Sequence, residues 1–339
     1  MKKFEIKKKQ TLSEIFTNIS SGVTSFFVFV ILVVFPLYTH DMYFDILGAR
    51  YVFFKFWAII LVSIQALLGL IYLFLDKKNM SSSPSAFERF LDSFKPKNLV
   101  KKLIVTDYFF FAMFIVCIIS TLGSGFKEES FFGNAGRYQG LECWIFYFFT
   151  YICITRTYKF NILHLDFALL SGCFASIWGI LDFFMLDPFG FFRYVSENQK
   201  HMFASSVGNL NTFTNYTIMM FAVAAILFII EKNIYKTIFY ALCIIICSCG
   251  CIFGLADNTV LGYMAFFIAT PFFVFNTKGK FIRYLFTIDF FLFSIFIFWY
   301  SQEETRTLFL AERNGFWVAW RLAVVWRQIL RRFFSITVL

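Results

Sequence analysis

Two stretches of this chain hold residue types that can bind an anion. The first runs from Gly123 to Gly140 and reads GSGFKEESFFGNAGRYQG, with five glycines in eighteen residues. Arg137 stands between Gly136 and Gly140, and Gly133 precedes them. Glycine allows tight, non-helical backbone and close approach to a ligand. A planar guanidinium can grip a phosphate through two parallel N–H···O bonds. The plain alternative is a flexible turn whose arginine rests on lipid headgroups. The second stretch, Leu186–Asn211, contains Arg193, Lys200, His201 and then Gly208-Asn209-Leu210-Asn211. Asn209 and Asn211 precede a helical run, where an asparagine caps free backbone N–H groups. A helix start is also a natural anion site. His201 has the chemistry of a general acid or base near neutral pH, or is simply an exposed loop histidine.

The other reactive residue types form weaker patterns. Cys117, Cys143, Cys153, Cys173, Cys243, Cys247, Cys249 and Cys251 all lie in apolar stretches. Cys247, Cys249 and Cys251 alternate without histidine or carboxylate around them, so they read as small buried hydrophobes and no metal site is expected. Asp107, Glu142, Asp166, Asp182, Asp289 and His164 fall within or beside apolar runs. Ionisable residues there would mark an ion pathway if they paired at mid-depth. Most sit within about two turns of a run's end, and only Asp289 lies deeper.

These loops must be positioned by membrane helices. Of 339 residues, 59% are hydrophobic and 15% charged, and the mean hydropathy is +0.70. Phenylalanine alone accounts for 54. Soluble domains carry about a quarter charged residues. Soluble enzyme, secreted disulfide scaffold and disordered chain are therefore excluded. The net charge of +10 does not point to nucleic acid, because its distribution follows membrane topology.

Nine apolar runs have the length of a span. They are Ser21–Leu37, Val52–Leu75, Leu103–Leu122, Leu141–Thr155, Ile162–Met185, Thr212–Ile230, Thr237–Leu255, Thr259–Phe275 and Tyr284–Tyr300. With the N-terminus inside, nineteen basic residues fall in the cytoplasmic segments and five in the outer loops before residue 301. That bias predicts an all-α polytopic bundle of about nine spans, N-terminus inside, in the cytoplasmic membrane. The expected organisation is a basic cytoplasmic segment over 1–20 and a bundle over 21–300. The bundle carries outer loops 123–140 and 186–211 and a cytoplasmic loop 76–102. An outer tail over 301–339 follows. From Arg313 to Phe334 the tail patterns as an amphipathic helix lying at the outer interface.

Phe132-Gly133 and then Gly136-Arg137-Tyr138-Gln139-Gly140, opening a span, resemble a signature of bacterial O-antigen ligase/polymerase-like membrane proteins. Gly208-Asn209-Leu210-Asn211, opening the sixth span, resembles the same family's GNxN element. Leu261-Gly262 in the eighth span also fits. The likeness covers roughly residues 20–320. It implies a polytopic glycosyltransferase acting outside the membrane on undecaprenyl-pyrophosphate-linked glycan, with a glycan, lipid or protein acceptor and no metal or soluble cofactor. By that resemblance Arg137 and Arg193 contact the pyrophosphate, assisted by Arg313. Gly133, Gly136, Gly140, Gly208, Asn209 and Asn211 shape the substrate site. Fixed cations stabilise a departing diphosphate, and a base near neutral pKa takes the acceptor proton.

The chain departs from that pattern at Ala256-Asp257-Asn258-Thr259, where the family carries a Ser-Arg-type pair. Arg313-Asn-Gly-Phe-Trp317 matches a second family element, and Arg306 with Leu310 has the same spacing. The sequence ends at Leu339, before the rest of the family's large histidine-bearing loop, so a truncated or frame-altered member is expected. Two alternatives stay open. One is a transporter or flippase for a lipid-linked glycan or another solute. The other is a membrane-embedded remnant without catalysis.

Overall fold

The protein is an all-α polytopic bundle, seen in a computed structural model that describes residues 11–79, 103–134, 136–274 and 278–309, with Glu88 and Asp92. Among the described residues, eight helical segments are long and apolar enough to cross a membrane. The remaining expected span, the fourth, is a helix of 17 residues, Leu141–Thr157, about 26 Å long at 1.5 Å per residue. The chain divides into two compact units, Met1–His164 and Leu165–Leu339.

In the first unit, α1 (Leu12–Phe29) begins nine residues before the expected span. The reason is local. Thr11 and Glu14 form a reciprocal capping box, each side chain taking the other's backbone N–H at 3.3 and 2.9 Å. The helical path then continues through a π-helical turn, Val30–Val34, and a 3-10 turn, Phe35–Leu37. Helix α2 (Ile46–Asn79) outruns its expected span at both ends. Arg50 sits at its start and donates to the Pro36 and Tyr38 carbonyls at 2.9 and 3.3 Å, holding the end of the first span. The unit continues with α3 (Val105–Gly123), the short α4 (Lys127–Phe132) and α5 (Leu141–Thr157). At the start of α3 Asp107 is fully buried and accepts from Arg156 and the Tyr151 hydroxyl at 2.5 and 2.7 Å.

The second unit contains most of α6 (Ile162–Phe183), then α7 (Leu210–Ile230), α8 (Ile234–Phe253), α9 (Asp257–Val274) and α10 (Lys278–Phe309). Its core combines large buried side chains such as Tyr240, Phe213 and Phe221 with small residues where helices approach closely. Gly250 meets Ser176 and Thr217, and a methyl group added there would lie 2.9 Å from the Ser176 Cβ. Without a hydrophobic force between helices in lipid, such close approach is what gains packing energy. Cys243, Cys247 and Cys251 share the buried face of α8, and among the described residues all eight cysteines are free thiols.

Charged residues are paired at the helix ends. Lys236 and Tyr240 donate to Asp166 at 2.8 and 2.6 Å, and Lys55 and Tyr51 both donate to Glu142 at 2.5 Å. Arg283, at the start of α10, donates to the Phe228 and Glu231 carbonyls that end α7. His164 shares a 2.8 Å hydrogen bond with the Tyr158 hydroxyl. Asp289 is exposed on α10. Beyond Tyr300 the helix runs nine residues into the expected outer tail, to Phe309. The amphipathic stretch 313–334 and most of the loop 76–102 lie outside the described residues.

Candidate functional site

The first-unit loop is a closed, pinned structure. Helix α4 ends at Gly133, whose φ of +85° places it in the left-handed region and whose amide bonds to the Glu129 carbonyl at 2.8 Å. The chain returns so tightly that a Cβ at Gly133 would lie 2.5 Å from the Gln139 nitrogen and 2.7 Å from that of Gly140. A Cβ at Gly140 would strike the Phe131 carbonyl and the Gly133 amide in turn. Between these two glycines the loop is held from inside, the Arg137 and Tyr138 amides both donating to the Asn134 carbonyl at 3.0 and 3.1 Å. Gly136, with φ +83°, has open space around it.

Tyr138 anchors this loop to the helices. Its backbone sits at φ +51°, and its ring stacks on Tyr51 with centroids 5.0 Å apart and planes 7° from parallel. Tyr51 in turn donates to Glu142, which also takes Lys55. The sequence therefore positions Arg137 through its neighbours. It is exposed, and among the described residues its guanidinium has no ion-pair or hydrogen-bond partner.

The second-unit loop is folded and packed along its length. Asp187 accepts the Phe191 and Phe192 amides at 2.6 and 3.0 Å, opening a 3-10 turn, Phe191–Tyr194. Phe189 and Phe191 close over Trp178, with centroids 4.3 and 4.9 Å from it. Arg193 projects from this turn, exposed, with its guanidinium 5.6 Å from the centre of the Tyr194 ring. A second 3-10 turn, Lys200–Met202, carries Lys200 and His201.

A small antiparallel hairpin follows, β1 (Phe203–Ala204) against β2 (Gly208–Asn209), paired Phe203 to Asn209 and Ala204 to Gly208. Its turn is buried: Ser205 and Ser206 are fully inaccessible, and Ala204 and Val207 pack on Phe213. Ser205 has φ +59°, and its amide donates to Asp182 at 2.7 Å. Gly208 supplies φ +88° on the return. Asn209 caps α7, accepting from the Asn211 and Thr212 amides at 3.0 and 3.4 Å. The exposed Asn211 contributes its carbonyl, which accepts from Asn258 at 3.2 Å.

Beside this hairpin lies a cavity of about 340 Å³. Asp182, Lys200 and His201 supply its polar groups, and Phe183, Phe213 and Phe253 much of its apolar wall. Non-helical backbone near a bilayer is tolerated where protein buries it or where it lines such a cavity. A carboxylate, an ammonium and an imidazole around one cavity can bind an anion and move a proton. Lys200 also pairs with Glu197 at 2.7 Å. The sequence sets Lys200 and His201 side by side but leaves Asp182 apart from them, because only the 26-residue loop's return over the end of α6 brings the three together.

Of the expected site residues, the structure gathers Gly133, Gly136, Arg137 and Gly140 in one loop. It gathers Gly208, Asn209 and Asn211 at the start of α7. Arg193 shares the second-unit loop but does not line the cavity. Arg313 lies outside the described residues. In the turn that departs from the family pattern, Asn258 takes over a structural role, donating to Asn215 at 2.6 Å and accepting from Thr214 at 3.3 Å.

Strained backbone follows these loops. Within each unit, every described non-glycine residue with positive φ lies in a connection after an odd-numbered span. In the first unit these are Asp41, Met42 and Tyr138, and in the second Met185, Asp187, Ser205 and Leu255. Such conformations cost about 1–3 kcal/mol each and persist where the surrounding structure over-determines the backbone. Among known proteins, no family model, curated protein or solved structure matches this chain.

Proposed function

We propose that this protein is a membrane glycan transferase of the O-antigen ligase/polymerase type, acting on a diphosphate-linked lipid donor. One observation carries the reading. Arg50, Arg156 and Arg283 each bond a backbone carbonyl or a carboxylate. Arg137 and Arg193 alone among the arginines with described side chains have no such partner, and each stands on a structured loop. Guanidinium groups held out of the protein's own salt bridges are available to a phosphate.

In this reading the acceptor hydroxyl oxygen attacks the donor's anomeric carbon, and the bond to the diphosphate breaks. The diphosphate leaves with the electron pair, its charge met by the arginines. The acceptor proton passes to a base, for which His201 on the wall of the second-unit cavity has suitable chemistry. Transport receives less support, since Asp107, Asp166 and Glu142 are engaged in ion pairs at helix ends rather than aligned along a path.

The test is transfer of lipid-linked oligosaccharide in membranes holding the wild type, Arg137→Ala or Arg193→Ala. Loss of one phosphate-gripping arginine should slow transfer about 100-fold or more, as loss of a charge-stabilising donor does elsewhere. Unchanged transfer in both variants sinks the assignment.

A further inference from the structure

The first unit holds a site at its other end, away from the loop carrying Arg137. A cavity of about 350 Å³ opens there among α1, α2 and the end of α5. Its rim carries Arg156 and Lys159, with the hydroxyls of Ser13, Thr17 and Ser20, while Leu68 and Tyr72 form part of an apolar wall. Further along the same helix pair is a second cavity of about 330 Å³, lined by Gly22, Phe26, Phe27, Trp57, Leu61, Ile64 and other apolar side chains. From Ser13 to Gly22 the helix rises about 14 Å. Two cations and several hydroxyls thus stand at one end of this helix pair, and a wholly apolar slot lies further along it.

Two glycines make the room. A Cβ at Gly69, in the polar cavity, or at Gly22, in the apolar one, would meet nothing within 4 Å. The polar wall is itself fixed. Ser20 donates to Gln65 at 2.6 Å, Gln65 donates to Thr24 at 2.8 Å, and Thr24 meets Thr157 at 2.6 Å. Among the described residues Lys159 makes only a 3.1 Å bond to Asn18, and both it and the Arg156 head are open to solvent. Asp107, the acid touching this rim, is buried and already takes Arg156, Tyr151 and the Ile104 amide. The rim therefore favours an anion.

We infer that these two cavities together seat an anionic glycerophospholipid, with its phosphate between Lys159 and Arg156 and an acyl chain beside Trp57. The positive-inside bias assigns that end of the unit to the cytoplasmic leaflet, which is the anionic one. Each basic residue near such a surface favours an anionic lipid by about fivefold.

Trp57 is a built-in reporter. The full chain is reconstituted in phosphatidylcholine vesicles containing increasing dibrominated phosphatidylglycerol or, separately, dibrominated phosphatidylcholine. The Trp57 signal is the difference between the wild type and Trp57→Phe. The expected result is half-maximal quenching at a mole fraction about fivefold or more lower for the anionic lipid. Lys159→Gln should remove most of that preference, and Gly69→Leu, which fills the head cavity from an open position, should remove it too. Equal quenching by the two lipids overturns the inference. So does a preference that survives in both variants.

Discussion

The Asp182 carboxylate, in the last turn of α6, accepts the backbone amide of Ser205 at 2.7 Å, 23 residues further along the chain. That one bond ties the buried hairpin turn to the bundle at a residue with φ +59°. A hydrogen bond to a charged acceptor contributes about 1.5–3 kcal/mol. Asp182→Ala should therefore lower unfolding stability by about 2 kcal/mol, with faster amide exchange over Ser205–Val207. Asp182→Asn keeps an acceptor and should cost less than half as much. An alanine variant with unaltered exchange at these amides would show that the hairpin is held by its ladder alone.

Gly140 and Gly133 test whether the shape of the first-unit loop matters independently of its charge. Alanine at either position collides with backbone across the pinch, and at Gly133 it also meets an unfavourable φ. Each substitution should lower donor binding or transfer about as strongly as Arg137→Ala, although Arg137 remains. Gly136→Ala has open space but the same φ penalty, so its effect should be smaller, about 1 kcal/mol. Binding of a soluble diphosphate-sugar analogue, titrated for the three variants, gives the order. If Gly140→Ala binds normally, precise presentation of the guanidinium is not required.

The bundle was legible in the sequence because apolar runs and basic loops report the bilayer directly. All nine expected spans coincide with helices, and the errors fall at ends. The capping box at Thr11 and Glu14 starts α1 early, and α10 continues past Tyr300. The glycines and Asn209 were visible as loop-shaping residues, since a left-handed turn and an N-cap each have a residue signature. The cavity beside the hairpin was not visible. Asp182 reads as one more acid near a helix end, and nothing in Ser205 announces a positive φ or its bond across 23 residues. Long-range closure of that kind leaves no periodic trace.

The buried ion pair of the first unit should outweigh its more exposed counterpart. Asp107 is fully buried against Arg156, whereas the Glu142 side chain is 20% exposed against Lys55. Removing one partner of a buried pair leaves an uncompensated charge, at a cost of about 3–5 kcal/mol. Arg156→Leu should thus destabilise by about 3 kcal/mol or more. Asp107→Asn combined with Arg156→Leu should recover much of the loss. Lys55→Leu should cost less, because water still reaches Glu142. Unfolding in mixed detergent micelles measures all three, and an Arg156→Leu variant as stable as Lys55→Leu would show that the Asp107 site admits water.

A pH dependence follows from Glu231, in the short link between α7 and α8. Its carboxylate accepts the Asn233 and Lys232 amides at 2.9 and 2.7 Å, and these donors, Asn233 first, hold its pKa below the usual carboxylate range. A carboxylate with a depressed folded-state pKa contributes stability above its ordinary value, about pH 4.3, and loses it as pH falls through the folded value. Glu231→Gln keeps an acceptor without the charge and has no such titration. The wild type should therefore be the more stable of the two at neutral pH, and the gap should close as the solution is taken below about pH 4. Because the link is exposed, the gap should also narrow in high salt. Unfolding midpoints for the two proteins, measured at pH 7, 5, 4 and 3, follow it. A difference that stays constant across that range would mean that the charge on Glu231 does not organise the turn.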